Sequence, residues 1–188
     1  DILMMTATPI PRGLAMTIYG EMAVSVIDEL PPLRTPIETM CMDEQNAYQN
    51  ILREIKNGGQ IYIVYPLVDE SDKIELKSAV TEAENLSKTV FKNVKVGLLH
   101  GKMKPKEKNE TMTNFKNKKF DILIATTVIE VGIDVPNATI IVIQHADRFG
   151  LATLHQLRGR VGRGQKKSYC FLISDSKSQT AKQRLSIS

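Results

Sequence analysis

The 188-residue sequence has no tryptophan, two cysteines and only 5% aromatic residues. Cys41 and Cys170 stand far apart and in no metal-ligand spacing, which argues against a disulfide framework or a zinc-binding cysteine cluster. We expect both to be reduced thiols in the core of a cytoplasmic protein. No hydrophobic run approaches the roughly 20 residues that a membrane span requires. The composition is therefore that of an ordinary globular protein with no membrane segment.

Two phosphate-chemistry motifs are also missing from the chain. There is no G-x-x-x-x-G-K-[ST] loop to hold the phosphates of a nucleotide, and no D-E-x-H or D-E-x-D box to hold magnesium. The formal charge is +4 and the isoelectric point about 9.0, which permits a polyanionic partner without requiring one. Because the opening "DILMMTATP" has no initiator methionine or leader pattern, we expect the chain to begin inside a longer protein.

Five short apolar runs predict the strands of an α/β fold. They are continuous rather than alternating, which is typical of parallel strands covered on both faces by helices. Helical spacing between them predicts right-handed crossovers and a doubly wound, mostly parallel sheet. The runs are "IYIVY" (61–65), "VGLL" (96–99), "ILIA" (122–125), "TIIVI" (139–143) and "YCFLI" (169–173).

The proline-rich stretch "ELPPLRTP" (29–36) predicts an extended connector. We therefore divide the chain into three parts. Residues 1–36 are the end of a preceding domain with its linker, 37–175 are a complete domain, and 176–188 begin an extension.

The segment "HQLRGRVGRG" (155–164) places three arginines and three glycines in ten residues. Treated as a helix over 151–163, it has an apolar face and, opposite, a polar face with Gln156, Arg160 and Arg163. Guanidinium groups bind phosphate oxygens and neutralise the charge that develops in phosphoryl transfer. Arg158 points away from this polar face and is a structural or interdomain ion-pair candidate. The apolar face consists of Leu151, Leu154, Leu157 and Val161.

Taken alone, the arginine segment has simpler interpretations. A solvated basic helix binds nucleic-acid phosphates, or is merely salt-bridged, with the same residues. The loops that follow the predicted strands favour the phosphate-chemistry interpretation, because ligand loops in α/β sheets sit at the carboxyl ends of strands.

One such loop lies in "ATTVIEVGIDVP" (125–136), after the "ILIA" strand. Thr126 and Thr127 offer hydroxyl and backbone N–H groups there. Gly132 permits a tight turn, and Asp134 supplies a carboxylate for a ribose hydroxyl or for an arginine. A structural loop with a capping aspartate is the alternative.

Two further loops carry candidate residues. "LLHGKM" (98–103) places His100 and Gly101 at the tip of a strand, although a histidine there is more often an ordinary polar residue. "MTATPIPR" (5–12) places Thr6 and Thr8 at another strand end, where a capped loop before a helix is the alternative.

Together these segments resemble the superfamily 2 helicases. The stretch "TAT" (6–8) is similar to motif III, "LLHGKM" to motif IVa, "ATTVIEVGIDVP" to motif V and "HQLRGRVGR" to motif VI. Three longer stretches, "MTATPIPRGLAMTIYGEMAVSVIDELPPLRTPI", "GKMKPKEK" and "FGLATLHQLRGRVGRG", resemble the RecG family of bacterial branched-DNA helicases. The family of transcription-repair coupling factors, which shares "TATPIPR" and "LHQLRGRVGR", is the alternative. Departures from the RecG pattern stand at Gly13, Leu33 and Thr153, none at a presumed catalytic position.

The resemblance implies a RecA-like, second motor domain of a helicase. Arg163 would be the arginine finger and Arg160 a second phosphate contact, with Gln156 positioning the site. Gly132 and Asp134 would line the nucleotide side. His100, Gly101, Thr126 and Thr127 would border the DNA backbone, and Thr6 and Thr8 would couple hydrolysis to domain movement.

The resemblance also implies partners that this chain does not contain. ATP and Mg²⁺ would be held mainly by a first motor domain, and an amino-terminal wedge domain would contact the branch point of double-stranded DNA. We expect a cytoplasmic, nucleoid-associated monomer, and no ATP hydrolysis by these 188 residues alone. Two non-motor hypotheses remain, a nucleic-acid-binding module without nucleotide and an interaction scaffold that has lost activity.

Overall fold

The structure, a computed structural model, describes residues 36–66, 72–126 and 134–174. Within these ranges the chain alternates between strands and helices. The predicted connector, the preceding domain end and the extension lie outside them, and so do Thr6, Thr8, Gly13 and Leu33. The strands are β1 (Ile37–Cys41), β2 (Gln60–Val64), β3 (Val96–Leu99), β4 (Ile122–Ala125), β5 (Ala138–Ile143) and β6 (Ser168–Leu172).

The six strands form one sheet in the order β1-β6-β5-β2-β4-β3, and every neighbouring pair is parallel. All strands therefore begin at the same edge of the sheet and end at the opposite one. We call the first the amino edge, where Gln60, Ala138 and Ser168 begin their strands. The second is the carboxyl edge, where Leu99, Ala125 and Ile143 end theirs. The predicted α/β fold with a parallel sheet is confirmed.

Burial explains which strands the sequence pattern could reveal. Every residue of the central strands β2, β4 and β5 is buried, so both faces require apolar side chains. All five predicted strands are present, each within one residue of its predicted ends. The edge strand β1 was missed because its sequence, IETMC, is partly exposed and has no continuous apolar run.

Four α-helices connect the strands of the described segments: α1 (Glu44–Lys56), α2 (Asp72–Thr89), α3 (Pro105–Lys116) and α4 (Leu151–Arg158). Helix α1 begins at Asp43, whose carboxylate accepts a hydrogen bond from the Asn46 backbone N–H at 2.9 Å. That bond also lowers the pKa of Asp43. Helix α3 begins with Pro105, and the Lys104 backbone N–H donates to Glu107 at 2.8 Å.

The sheet is covered on both faces by hydrophobic clusters. One face packs against α1 and α2, through side chains such as Ile51 and Leu86. The other packs against α3 and α4, through side chains such as Phe115 and Leu157. Because α4 connects the end of β5 to the start of β6, it carries the chain from the carboxyl edge back to the amino edge.

Candidate functional site

Helix α4 ends at Arg158, and the arginines beyond it lie in a turn. This corrects the prediction of a helix over 151–163. Gly159 caps the helix, and Arg160 donates its backbone N–H to the Leu157 carbonyl at 2.9 Å. Gly162 then takes a φ of 75°, a left-handed conformation that only glycine adopts without strain. Gly162 therefore turns the chain, four residues after the helix has ended at Arg158.

The predicted apolar face is present in three of its four members. Leu154, Leu157 and Val161 are buried against the sheet, whereas Leu151 is 40% exposed at the first position of α4. Val161 is buried although it lies after the helix. Val161 lies between Arg160 and Arg163, so its burial fixes the turn that carries both arginines to the rest of the domain.

Arg163 reaches back across this turn to Asp134. Its Nη1 lies 3.4 Å from Asp134 Oδ1, and its Nε donates to the Gly159 carbonyl at 3.3 Å. Of the two partners that the sequence suggested for Asp134, a ribose hydroxyl or an arginine, an arginine is the one it contacts here. Both side chains remain partly open to solvent, at 39% and 49% exposed.

Asp134 lies at the amino edge, four residues before β5 begins. Thr126, in contrast, directly follows β4 at the carboxyl edge. A parallel strand requires the chain to return across the sheet before the next strand can start. The segment 125–136 therefore begins at one edge and ends at the other.

Tyr62, in the middle of β2, lies within electrostatic reach of Arg160, Arg163 and Asp134, the three residues that we call the arginine site. Its side chain is 2% exposed, and burial raises the pKa of its hydroxyl strongly. The charges of Arg160 and Arg163 lower that pKa, and the charge of Asp134 raises it, so all three charged groups lie within electrostatic reach of one phenol. Arg160 and Arg163 thus share a neighbourhood, as the sequence predicted, although not through a common helix face.

The remaining residues of the arginine segment lie apart from this cluster. Gln156 is exposed on α4, and no hydrogen bond joins it to Arg160 or Arg163 among the described residues. Arg158 is close enough to the Cys170 thiol to act on its pKa, which burial raises to about 12. Cys170 is a buried thiol as expected, but Cys41 is exposed, because β1 forms an edge of the sheet.

A second group of polar atoms lies at the carboxyl edge. His100 and Thr126 follow the paired residues Leu99 and Ala125 at the ends of β3 and β4, and the Thr126 backbone N–H donates to the Leu99 carbonyl at 3.1 Å. Thr126 is fully buried, yet its hydroxyl has no hydrogen-bond partner in the part of the chain that is described. The same is true of His100 Nδ1. Gly101 follows in an exposed turn.

Buried polar atoms without partners are uncommon, because each one costs free energy unless something hydrogen-bonds to it. Two such atoms on adjacent strand ends can bind a polar ligand such as a phosphate oxygen. Thr127 and Gly132, which the sequence assigned to the two sites, lie outside the described residues. Within the described ranges no group of three or more acidic, histidine or cysteine side chains could hold a metal ion. None of the described helices is both long and apolar enough to cross a membrane.

Comparison with known proteins identifies the domain. The sequence profile of the helicase conserved C-terminal domain matches residues 44–165. The chain belongs to this helicase domain family. The match begins with α1 and ends just beyond Gly164, so it includes both polar sites of the helicase domain.

Relatives of the whole chain are bacterial helicases. The ATP-dependent DNA helicase RecG of Synechocystis is 52% identical over 99% of this chain, and that of Thermotoga maritima is 52% identical over 98%. The chain spans about a quarter of the length of these relatives, 23% and 24%.

Solved structures agree with this assignment. A structure of RecG bound to a three-way DNA junction matches with a TM-score of 0.80 and 48% identity, over 96% of this chain and 24% of that one. A single-substitution variant of S. cerevisiae Dbp5, bound to RNA and ADP BeF3, matches with a TM-score of 0.55 and 20% identity, over 80% of this chain and 39% of that one. The second likeness establishes the RecA-like helicase fold alone.

Two residues beside the arginine site were missed by sequence reasoning. Tyr62 is hidden in the apolar run "IYIVY", where a tyrosine reads as core packing. Gly164 packs directly on the backbone of Pro136, although the sequence reads as one more glycine of a glycine-rich turn. The alternation of arginine and glycine in "RGRVGRG" (158–164) is a signal only for the turn, and the contact with Pro136 depends on the tertiary fold.

Proposed function

We propose that this chain is the second motor domain of an ATP-dependent helicase of the RecG type, which remodels branched DNA. The observation that carries the proposal is the placement of two different polar sites at opposite edges of one sheet. An arginine site suited to nucleotide phosphates lies at the amino edge, and a hydrogen-bonding site suited to a nucleic-acid backbone lies at the carboxyl edge. A motor that couples ATP to DNA needs both.

At the amino edge, Arg160 and Arg163 supply two permanent positive charges in one turn. In the proposed mechanism, Arg163 moves from Asp134 to the γ-phosphate of ATP and neutralises the charge that develops during transfer, with Arg160 as a second contact. Gln156 and Gly132 complete the nucleotide side. The described residues fit the phosphates and offer no cluster for Mg²⁺. A first motor domain would hold Mg²⁺ and most of the nucleotide.

At the carboxyl edge, His100, Gly101, Thr126 and Thr127 would border the DNA backbone. The unpartnered hydroxyl of Thr126 supports this role, because a phosphate oxygen would accept its hydrogen bond. Contacts with phosphates alone carry no base sequence, so binding is expected to be sequence-independent and to weaken with salt.

Movement would follow from a population shift. ATP favours a closed arrangement of two motor domains because the arginine site contacts the γ-phosphate only when closed, and hydrolysis releases it. Thr6 and Thr8 would transmit this change. Branched double-stranded DNA, an amino-terminal wedge domain, monomeric action and a cytoplasmic location near the nucleoid belong to the same proposal. The chain's resemblance to RecG sequences over nearly its whole length favours this type over a transcription-repair coupling factor.

The test uses the full-length protein to which the proposal assigns this chain. We expect ATP hydrolysis to be stimulated more by a three-way DNA junction than by linear duplex of the same length, with an affinity that falls steeply between 50 mM and 200 mM salt. The isolated chain should not hydrolyse ATP. DNA-stimulated turnover by the isolated chain, or a full-length protein that ignores DNA, would contradict the proposal.

A further inference from the structure

Gly164 is the residue that follows Arg163, and it lies against the main chain of the opposite segment. A β-carbon built at Gly164 would overlap the carbonyl oxygen of Pro136. Gly58 and Gly162 are the described glycines with positive φ, and Gly164 is not among them. Gly164 is therefore required by space and not by backbone conformation. The overlapping atom of Pro136 is a main-chain oxygen, so rotating a side chain could not relieve the overlap.

The Gly164–Pro136 contact lies beside the ion pair of Arg163 with Asp134. Asp134 and Pro136 are two residues apart on one segment, while Arg163 and Gly164 are adjacent on the other. The two segments thus meet at two points, one between main chains and one between charges. An exposed ion pair contributes little by itself, about 0–1 kcal/mol, because water and salt screen it and two long side chains must be ordered. The main-chain contact is the part that can fix a position.

We infer that Gly164 is a positioning residue for Arg163, which seats the arginine turn on the Pro136 carbonyl and so sets where the guanidinium stands. The inference rests on the proposed function, since a finger must reach a γ-phosphate for its position to matter. Gly164 touches no substrate in this assignment. It acts by allowing the closest approach of the two segments at the amino edge.

The size of the expected effect follows from the distance involved. Restoring normal contact after adding a methyl group at Gly164 requires the segments to separate by about 1 Å, and a displacement of that size at a catalytic group can cost roughly 100-fold in rate. Binding of ADP should change little, because ADP lacks the phosphate that Arg163 would contact.

The experiment compares variants of the full-length protein. Gly164→Ala is expected to lower kcat for DNA-stimulated ATP hydrolysis roughly 100-fold with KM within about threefold. It should weaken binding of ADP–aluminium fluoride, a mimic of the transferring phosphoryl group, by a similar factor, and leave ADP affinity unchanged. A purely structural role would lower the melting temperature or all affinities together, without this selective loss.

Two matched glycines provide controls. Gly150→Ala adds the same methyl group to the residue before α4, where nothing lies within 4 Å and φ is −69°. It should keep wild-type kcat. Gly97→Ala in β3, the strand at the end of the sheet, would overlap the ring of Phe120, so it should lower the melting temperature and keep the ratio of ADP–aluminium fluoride to ADP affinity. A Gly164→Ala protein that behaves like either control overturns the inference.

Failure of the inference can be separated from failure of the proposed function by Arg163→Ala in the same assay. If Arg163→Ala abolishes hydrolysis and Gly164→Ala does not, the inference alone is wrong. If Arg163→Ala has no effect, the proposed function is wrong. Should Gly164→Ala not fold, Gly162→Val and Gly162→Asn test the same turn, because asparagine tolerates positive φ and valine does not. Selective loss of the mimic with valine supports the part of the inference that the seating of the turn sets the reach of Arg163, and equal affinities overturn it.

Discussion

The two edges of the sheet solve opposite problems. At the amino edge, Arg163 already has a partner in Asp134, so a phosphate must compete with a carboxylate for the guanidinium. At the carboxyl edge, the Thr126 hydroxyl and His100 Nδ1 are buried without a partner among the described residues, so a ligand oxygen that reaches them gains hydrogen bonds without breaking any. The first arrangement suits a contact that must be made and released, and the second suits one that should persist while the nucleotide changes.

Among variants that should impair one edge and spare the other, Arg163→Ala in the full-length protein is expected to have the largest effect. DNA-stimulated ATPase should fall by roughly 10³-fold or more, the range measured for arginine fingers. Affinity for branched DNA should persist, because His100 and Thr126 lie at the opposite edge. The measurement pairs a steady-state ATPase assay with binding of a fluorescent three-way junction.

The matched control for that variant is Arg53→Ala. Arg53 is an exposed arginine in the last turn of α1, a helix that packs on the other face of the sheet. Arg53→Ala removes the same charge without changing the turn that carries Arg160 and Arg163, so ATPase and DNA binding should both stay at the wild-type level. A joint loss of ATPase and DNA binding in Arg163→Ala would mean that the arginines grip DNA, which favours the binding-module hypothesis.

The second largest effect is expected at the carboxyl edge, where one variant should lower DNA affinity and raise stability. Thr126→Val keeps the shape of the side chain and removes its unpartnered hydroxyl. DNA affinity should fall by roughly 10- to 100-fold, because a hydrogen bond to a charged phosphate is worth about 1.5–3 kcal/mol. The free energy of unfolding should rise by about 1 kcal/mol, because a buried hydroxyl without a partner is costly. Urea unfolding and DNA titration measure the two changes.

Two other threonines distinguish this effect from a general response to valine. The Thr39 hydroxyl is also buried and unpartnered among the described residues, but it lies in β1 away from β3 and β4. Thr39→Val should raise stability and leave DNA affinity alone. Thr139 donates to Glu54 at 2.8 Å, so Thr139→Val should lower stability. If Thr126→Val loses stability as Thr139→Val does, the hydroxyl has a partner inside the protein, and its role at a DNA site is contradicted.

The difference between the edges also marks how far the sequence could be interpreted. Strands β2, β4 and β5 were predictable because complete burial demands continuous apolar residues, and α1 because Tyr48 and Ile51 repeat at helical spacing. Strand β1 was not, since an edge strand tolerates the glutamate and threonine of IETMC. His100 and Thr126 were placed correctly because both directly follow a recognisable strand.

The sequence identified Arg160, Arg163 and Asp134 as candidate residues, but it did not predict how they are arranged. Leucine spacing extended the predicted helix to Arg163, whereas the helix ends at Arg158 and Gly162 takes a positive φ that a helix does not contain. The position of Asp134 at the amino edge was not predicted, because the sequence of a crossover does not show where the chain reaches the opposite edge. Tyr62 and Gly164 were missed because their roles depend on contacts with distant parts of the chain.

The smallest effect tests what Asp134 does at the amino edge. Because its ion pair with Arg163 is partly exposed, Asp134→Ala should change kcat by no more than about fivefold, the equivalent of an exposed pair. If Asp134 serves only to hold Arg163, ATP and 3′-deoxy-ATP should be affected equally, and Asp134→Ala should add nothing to Arg163→Ala. A KM that rises for ATP but not for 3′-deoxy-ATP would instead assign the carboxylate to a ribose hydroxyl. In that case the Asp134 carboxylate binds Arg163 only while no nucleotide is present. When the ribose hydroxyl binds Asp134, the guanidinium of Arg163 is released.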